Sequence, residues 1–208
     1  MKFGEYKYLV LSDLYRISGD VKLKSLVKHL LTGEGFKYNF WLRTSMFLRG
    51  NKLLKYTLFP FALIMLRHYT YKFGISIPVT TEIGSGFYIG HYGGIVVNGS
   101  AVIGKNCNIS HGVTLGRANR GKNRGCPAIG DNVYIGPGAK IIGAVKVGNN
   151  VAVGANCVVA EDVPDNSVVA GVPGKVISSN GSEGYVNRTD YEDKILKGRG
   201  SHSQFAGM

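Results

Sequence analysis

The sequence has 208 residues, 30 of them glycine, and carries a formal net charge of +12. This length supports one main domain with a buried core. Its composition, with 44% hydrophobic and 18% charged residues, argues against a disordered chain. The glycines lack the three-residue period of collagen, so they indicate many tight backbone corners. The positive charge predicts affinity for polyanions such as nucleic acid, an anionic membrane surface or a phosphorylated small molecule.

Neither a secretory signal nor a membrane-spanning helix is expected from the sequence. The first apolar run is interrupted by Asp13 and has no small-residue cleavage site. The longest uncharged apolar stretch, residues 56–66, is shorter than the roughly 20 residues that cross a bilayer. Three cysteines without a CxxC spacing argue against a disulfide framework and a zinc ribbon. We therefore expect a cytoplasmic protein, with the inner face of the membrane as an alternative location.

Residues 1–75 are predicted to form a helical N-terminal segment. Apolar residues recur at helical spacing between Leu23 and Leu31, and glycines at 33 and 35 predict the end of that helix. A second helix is expected over residues 40–48 and a third over 53–71, where Pro60 should kink or split it. The third segment is expected to pack onto the rest of the protein or another subunit, with peripheral membrane contact as the alternative.

Residues 76–178 follow a repeat of six residues. An aliphatic residue opens each unit, and a small or β-branched residue follows four positions later in most of them. The openers are Ile77, Ile83, Ile89, Ile95, Ile103, Ile109, Leu115, Ile129, Ile135, Ile141, Val147, Val153 and Val159.

Six residues provide one short strand and one tight corner, and three such sides close a triangular coil with a narrow interior. Stacked coils bury a continuous core, so the repeat predicts a mainly β protein, a parallel β-helix. Cys107 and Cys157 occupy inward positions of the repeat and are expected to be core residues. The polar residues 179–208 lose the repeat and are expected to be an extended or poorly ordered tail.

Two irregularities in the repeat are candidate functional positions. The first is a two-residue slip between Ile95 and Ile103, directly after a glycine-flanked histidine, His91. The second is an interval of 14 residues between Leu115 and Ile129, which predicts that residues 117–124 loop out of the wall. Solenoid proteins often carry function in such excursions, and this one contains four basic residues.

The sequence resembles the hexapeptide-repeat acyltransferases, in the branch that contains serine acetyltransferases and polysaccharide O-acetyltransferases. Four stretches carry the resemblance: His91-Tyr92-Gly93-Gly94-Ile95-Val96-Val97, Gly112-Val113-Thr114-Leu115-Gly116, Ile135-Gly136-Pro137-Gly138-Ala139-Lys140 and Ala170-Gly171-Val172-Pro173-Gly174-Lys175. It implies a left-handed β-helix, a homotrimer, and acetyl-CoA as cosubstrate in the groove between neighbouring prisms.

The resemblance also implies a direct transfer in which His91 is the catalytic general base. An alcohol is a poor nucleophile until a base takes its proton as it attacks, an effect worth roughly 10² to 10⁴ in rate. The thioester oxygen gains negative charge and needs a backbone N–H donor. No acyl-enzyme is expected, since no cysteine or serine lies in a recognisable nucleophile motif.

The resemblance places acetyl-CoA beside small residues of the coil and one basic residue. Gly116, Gly136, Gly154 and Ala155 match positions near the pantetheine arm, and Lys175 matches a basic position near the phosphates. Two alternatives stay open at this point. The glycines and the alanine could be small only because tight corners of the coil need small residues, and Lys175 could be a solvated surface residue with no ligand. No metal site is expected, because only two histidines belong to the coil.

The acceptor is the least determined part of the hypothesis. Serine acetyltransferases carry two acidic residues and an Arg-His pair at positions matched here by Ser76, Gly90, Gly125 and Cys126. We therefore expect a carbohydrate hydroxyl, on a capsule, exopolysaccharide or O-antigen precursor, as the acceptor. Ser76, His111 and Cys126 are the candidate acceptor-binding residues.

Two alternatives to this function remain. One is a serine O-acetyltransferase of cysteine biosynthesis. The other is a non-catalytic basic scaffold for nucleic acid or anionic lipid, whereas the leading hypothesis includes no nucleic-acid partner.

Overall fold

The computed structural model describes residues 1–200, with side chains described through residue 195. Its N-terminal helices are α1 (Phe3–Ser18), α2 (Leu23–Thr32), α3 (Glu34–Arg49), α4 (Leu54–Thr57) and α5 (Phe59–Phe73). The helices predicted at 23–31 and 40–48 are confirmed as α2 and α3, but α1 was not predicted. The third predicted helix is split at Leu58, so Pro60 lies in the first turn of α5, where its missing N–H costs no hydrogen bond.

From Ile75 onward the chain forms short strands that visit three sheets in turn within the described residues. The strands are β1 (Ile75–Ser76), β2 (Glu82–Ile83), β3 (Tyr88–Ile89), β4 (Ile95–Val97), β5 (Val102–Ile103), β6 (Asn108–Ile109), β7 (Thr114–Gly116), β8 (Ala128–Ile129), β9 (Tyr134–Ile135), β10 (Lys140–Ile142), β11 (Lys146–Val147), β12 (Ala152–Val153), β13 (Val158–Val159), β14 (Val168–Ala170) and β15 (Lys175–Ser178).

The sheets are ordered β1-β4-β7-β10-β13, β2-β5-β8-β11 and β3-β6-β9-β12-β14-β15. Neighbouring strands are parallel, except that β15 returns antiparallel to β14. Equivalent residues of successive coils lie in register, as Ile89, Ile109 and Ile135 do. The fold is therefore the left-handed parallel β-helix that the repeat and the resemblance predict.

The predicted openers form the core of the prism. All of them are buried except Ile83, which is partly buried. Cys107 and Cys157 are exposed by only 1% and 0%, so the prediction that they are core residues is confirmed. Burial also raises the pKa of the Cys107 thiol to about 12.

One corner of the prism is built by a ladder of asparagines. Asn106, Asn132, Asn150 and Asn166 have φ values between 54° and 58°, in the left-handed region that asparagine tolerates better than most residues. Each side-chain amide donates to the next one across successive coils, at 2.9, 3.0 and 3.0 Å. The ladder thus supplies hydrogen bonds along a wall where the repeat supplies apolar contacts.

A buried ion pair attaches the helices to the first coil. Asp13 of α1 and Arg43 of α3 are exposed by 2% and 1%, with 2.9 Å between Arg43 Nε and Asp13 Oδ2. Arg43 also donates to the carbonyl oxygens of Ile83 and Gly84, at 2.7 and 2.6 Å. The Phe87 N–H donates to Asp13 at 2.8 Å. These bonds fix the orientation of α1 and α3 over the coil.

The described part of the C-terminal segment differs from the extended tail expected over 179–208, of which residues 201–208 lie outside the described residues. After β15 the chain turns back and forms α6 (Tyr191–Gly200), whose Tyr191 and Ile195 are buried against Tyr15. The Tyr15 hydroxyl donates to Asp190 at 3.0 Å. Packing against α1 therefore orders a segment whose own sequence is too polar to predict a helix.

Candidate active site

His91 lies at the corner between β3 and β4, on the surface of the prism. Gly93 and Gly94 have φ values of 106° and 64°, which a residue with a Cβ adopts only with strain. The two-residue slip in the repeat lies one strand later, in the turn between β4 and β5. The ring of His111, one coil further on, approaches the His91 ring at 6.0 Å between centroids and an angle of 76°.

A cavity of about 400 Å³ opens beside His91. Three parts of the chain build it: the end of α1, the outer face of the sheet that contains β3, β6 and β9, and the segment before α6. The residues lining it are Arg16, Ile17, Tyr88, Gly90, His91, Asn108, Ile109, Ser110, Tyr134, Tyr185, Asn187 and Arg188.

The segment before α6 covers this face through an aromatic contact. The ring of Tyr185 stacks on that of Tyr134, with centroids 4.4 Å apart. Asn108 donates its side-chain amide to the carbonyl oxygen of Tyr185 at 2.8 Å. Arg188 donates to the carbonyl oxygen of Ile17 at 2.6 Å and so joins the segment to α1.

Arg16 is the buried cation of the cavity. Its side chain is 3% exposed and donates from Nη2 to the side-chain oxygen of Asn108. Its Nε and Nη1 atoms are buried and have no hydrogen-bond partner among the described residues. Burial lowers the pKa of Arg16 from its usual value, although a guanidinium stays protonated in proteins.

His91 belongs to one edge of the prism that also holds most of the predicted cofactor positions. Strand pairing places Ile89, Ile109, Ile135 and Val153 in register, so the residues after them follow one another along this edge. The resulting order is His91, His111, Pro137 and Ala155, with Gly136 and Gly154 beside the last two. Gly116 lies on a different corner, where β7 ends and the loop begins.

Coil stacking explains why the predicted cofactor positions are small. A Cβ on Gly136 would lie 2.8 Å from the carbonyl oxygen of Val153 in the next coil. A Cβ on Gly154 would approach that of Ala170 at 3.2 Å, and one on Gly116 would meet Ile142 at 2.7 Å. The backbone of the next coil therefore excludes a side chain at Gly136 whether or not a ligand binds there, whereas at Gly116 and Gly154 the nearest atoms belong to side chains. Lys175 is exposed at the start of β15.

The candidate acceptor residues do not meet in one chain. The cavity beside His91 is not lined by Ser76, His111 or Cys126 within the part of the chain that the structure describes. Ser76 is exposed on β1, and the Cys126 thiol donates to the side-chain oxygen of Asn98 at 3.2 Å, at another corner. The ring of His111 packs edge-on to that of His91, but His111 is not among the described residues that line the cavity.

The predicted loop is confirmed. Residues 117–124 leave the wall between β7 and β8, and a bridge between Ala118 and Gly125 closes their base. The basic side chains of this loop are exposed: Arg117, Arg120, Lys122 and Arg124.

No group of three or more His, Cys, Asp or Glu side chains among the described residues is arranged to hold a metal ion. None of the described helices combines the length and apolar character of a membrane span.

The sequence analysis missed the cavity residues outside the repeat. Arg16, Tyr185, Asn187 and Arg188 lie in segments without a six-residue period, and only their charge and their aromatic or amide character mark them. Asn108 could have been predicted from the repeat, because it is a polar residue at an outward position next to the inward Cys107.

Comparisons with known proteins agree with the fold. The family described as "Bacterial transferase hexapeptide (six repeats)" matches residues 127–161. A serine acetyltransferase of Staphylococcus aureus (strain Mu50) is 42% identical over 108 residues, which are 52% of this chain and 51% of that protein. The chain thus spans about half the length of this relative.

Solved structures match a larger part of the chain. The serine acetyltransferase from Brucella abortus strain S19 is 31% identical with a TM-score of 0.71, over 86% of this chain and 72% of that one. A structure titled as that protein in complex with coenzyme A has the same TM-score, with 30% identity over 86% and 70% of the two chains. The Neisseria gonorrhoeae serine acetyltransferase in complex with serine is 32% identical with a TM-score of 0.69, over 85% and 68%.

These comparisons correct the expected acceptor. The prediction of a carbohydrate hydroxyl is wrong, because the matching relatives and structures are serine acetyltransferases, which was the alternative. The prediction considered only positions within the coil, such as Gly90, Gly125 and Cys126. The cavity beside His91 also receives polar groups from α1 and from residues 185–188, which the alignment to the repeat leaves out.

The repeat, the prism and the match to more than two thirds of the Brucella abortus structure lead to one assignment. The chain belongs to the hexapeptide-repeat transferases, in the branch that contains the serine acetyltransferases.

Proposed function

We propose that this chain is an acetyl-CoA-dependent serine O-acetyltransferase with His91 as its general base. The observation that carries the proposal is the position of His91. It is exposed at a glycine corner, with a polar cavity of about 400 Å³ on one side and the prism edge of Gly136, Gly154 and Ala155 continuing from it. Relatives solved with coenzyme A and with serine support both substrates.

The reaction needs one proton carrier, and His91 fills that role. His91 accepts the proton of the serine hydroxyl as that oxygen attacks the carbonyl carbon of the thioester. The carbon–sulfur bond then breaks, and the protonated imidazole returns its proton to the departing thiolate. Backbone N–H groups stabilise the charge that develops on the carbonyl oxygen. The products are O-acetylserine and CoA, and no acyl-enzyme is formed.

The prism edge provides a path for the pantetheine arm. Adjacent coils are about 4.8 Å apart, so Ala155, three coils from His91, lies roughly 14 Å away along the edge. Small residues keep this edge free of bulky side chains, and of the three Gly136 is buried, Gly154 is partly buried and Ala155 is exposed. Lys175 and the exposed basic loop at 117–124 supply positive charge for the phosphates of CoA.

A second prism completes the groove in this proposal. The edge with His91 is open on one side in a single chain, and a homotrimer places a neighbouring prism against it. In that assembly Gly116 and the loop of one subunit, which lie at a different corner from His91, can reach the edge of the next. A measured molar mass of three chains by light scattering is the expected result.

The test is the release of CoA thiol from acetyl-CoA with L-serine as acceptor. The protein should release thiol in a serine-dependent reaction, and His91→Ala should lower kcat by about 10²- to 10⁴-fold, the contribution typical of a general base. The matched control is His68→Ala, because His68 is an exposed histidine on α5, outside the cavity lining.

Two results would contradict the proposal. Serine-independent thiol release in the intact protein would remove serine as the acceptor. Full activity of the folded His91→Ala variant would show that His91 is not the general base. Stabilisation of that variant by CoA in a thermal melt is the control that its cosubstrate site is intact.

A further inference from the structure

The buried guanidinium of Arg16 makes no direct ion pair in the described part of the chain. Asp13, one turn earlier on α1, is bonded to Arg43 and to the Phe87 N–H. Arg16 has only the neutral Asn108 as a hydrogen-bond partner, while its Nε and Nη1 remain unpaired among the described residues. A buried charge without a partner is costly, so such a group is expected to bind an ion of opposite charge.

The cavity beside Arg16 has the charge of an anion site. Arg188 stands at its mouth as a second cation, held by its bond to the carbonyl oxygen of Ile17. No Asp or Glu is among the lining residues that the structure describes. Neutral groups, including the hydroxyl of Ser110 and the amide of Asn187, complete the wall. A ligand that enters therefore meets two positive charges and no negative one.

The same cavity contains the proposed catalytic base. Because His91 and Arg16 line one space of about 400 Å³, a small acceptor can place its hydroxyl at the imidazole and another group at the guanidinium. A carboxylate suits that second position, since the guanidinium presents several N–H donors in a fixed plane that matches carboxylate geometry.

We propose that Arg16, with Arg188 at the mouth, binds the carboxylate of the hydroxyl-bearing acceptor and so determines acceptor specificity. This inference rests on the proposed function. It assigns the carboxylate to residues of α1 and the C-terminal segment, whereas the coil positions considered in the sequence analysis, Gly125 and Cys126, carry no charge. The lining includes no acidic group for the ammonium, so the carboxylate is the charged group that the pocket selects.

Three small alcohols test this selection. L-serine carries hydroxyl, ammonium and carboxylate; 3-hydroxypropionate lacks the ammonium; ethanolamine lacks the carboxylate. Thermal stabilisation and calorimetric binding at constant ionic strength should detect L-serine and 3-hydroxypropionate but not ethanolamine. Arg16→Met should weaken the binding of both carboxylates by about 10- to 100-fold, the usual effect of losing a charged hydrogen bond. Arg188→Gln, at an exposed position, should weaken it less.

Two further measurements separate carboxylate binding from a structural role. Without ligand, Arg16→Met should melt at or above the temperature of the unsubstituted protein, since it removes an uncompensated buried charge. In turnover, both variants should raise the KM for L-serine with a smaller change in kcat. Arg67→Met is the control, because Arg67 is an exposed arginine on α5 whose Nε donates to the hydroxyl of Tyr71.

The outcomes distinguish this inference from the proposed function. If L-serine is acetylated but Arg16→Met and Arg188→Gln leave its KM and binding unchanged, the carboxylate site is refuted and the enzyme assignment stands. If L-serine is not acetylated, but the protein binds carboxylates and Arg16→Met abolishes that binding, the carboxylate site stands and the acceptor is another hydroxy acid. Should Arg16→Met fail to fold, unchanged carboxylate affinity in Arg188→Gln still overturns the proposal.

Discussion

Replacing Asp13 by Asn tests how the helices are held on the prism. The carboxylate of Asp13 accepts hydrogen bonds from Arg43 at 2.9 and 3.3 Å and from the Phe87 N–H at 2.8 Å. Both charged side chains are at least 98% buried. The substitution keeps the shape of the side chain but removes the negative charge and one of its oxygens.

The expected loss follows from the charge left behind. Arg43 would stay buried between α3 and the coil, with two backbone carbonyls and one amide oxygen as acceptors but no negative charge beside it. Breaking a buried pair in this way typically costs about 3–5 kcal/mol. For a chain of about this length each kcal/mol lowers Tm by about 2–4 °C, so the melting temperature should fall by about 6–20 °C. Arg43→Met combined with Asp13→Asn should cost less than the sum of the single changes, because no unpaired charge remains.

Circular dichroism melts at one fixed protein concentration measure this effect, since the stability of an oligomer depends on concentration. Arg49→Gln is the matched control. Arg49 lies on α3, as Arg43 does, and also donates to a backbone carbonyl, that of Val79 at 3.1 Å. Because Arg49 is exposed, its substitution should change the stability by no more than about 0.5 kcal/mol. A loss of that small size in Asp13→Asn would show that the buried pair does not hold the helices on the coil.

Two other features give sharp predictions. Asn132→Ala should destabilise the protein by about 2–4 kcal/mol, because it loses two side-chain hydrogen bonds and strains a backbone in the left-handed region. Asn132→Gly should destabilise it less, because glycine adopts a positive φ without strain. Equal losses of unfolding free energy in denaturant titrations would argue against backbone strain. Alkylation at pH 8 should modify Cys126 first, because Cys157 is enclosed in the core and burial raises the pKa of Cys107 to about 12. Mass spectrometry measures the labelling of each cysteine. If Cys107 of the folded protein were labelled as fast as Cys126, its assignment to the core would be contradicted.

The coil could be predicted from the sequence because its physical requirement repeats. Each side of the prism needs an inward aliphatic residue, so burial recurs every six positions from Ile77 to Val159, apart from the slip after Ile95 and the loop after Leu115. The same regularity drew attention to the candidate corner of His91, since a departure such as the slip between Ile95 and Ile103 stands out only against a strict period. The asparagine ladder is equally regular but was not predicted, because its residues occupy corners, whereas the prediction rested on the apolar residues of the strands.

The helix α1 was not predicted because its buried face is partly polar. Asp13 and Arg16 are exposed by 2% and 3%, whereas a periodicity argument assigns charged residues to the solvent side. The helix α6 was missed for a different reason. Tyr191 and Ile195 pack against Tyr15, and the Tyr8 hydroxyl donates to Glu192 at 2.9 Å, so its described part is anchored by tertiary contacts. Local sequence carries little information about either burial.

The correction of the acceptor follows from the same division of the chain. Coil positions such as Gly136 and Gly154 are constrained by the neighbouring coil, where an added Cβ would approach other atoms at 2.8 and 3.2 Å. Such positions have little freedom to adapt to an acceptor. Arg16 and Arg188 belong to segments that rest on the outside of the prism, where side chains can change without disturbing the stacking. Specificity in this chain is therefore expected in the segments that cover the coil, and an inference from the repeat alone was bound to misjudge it.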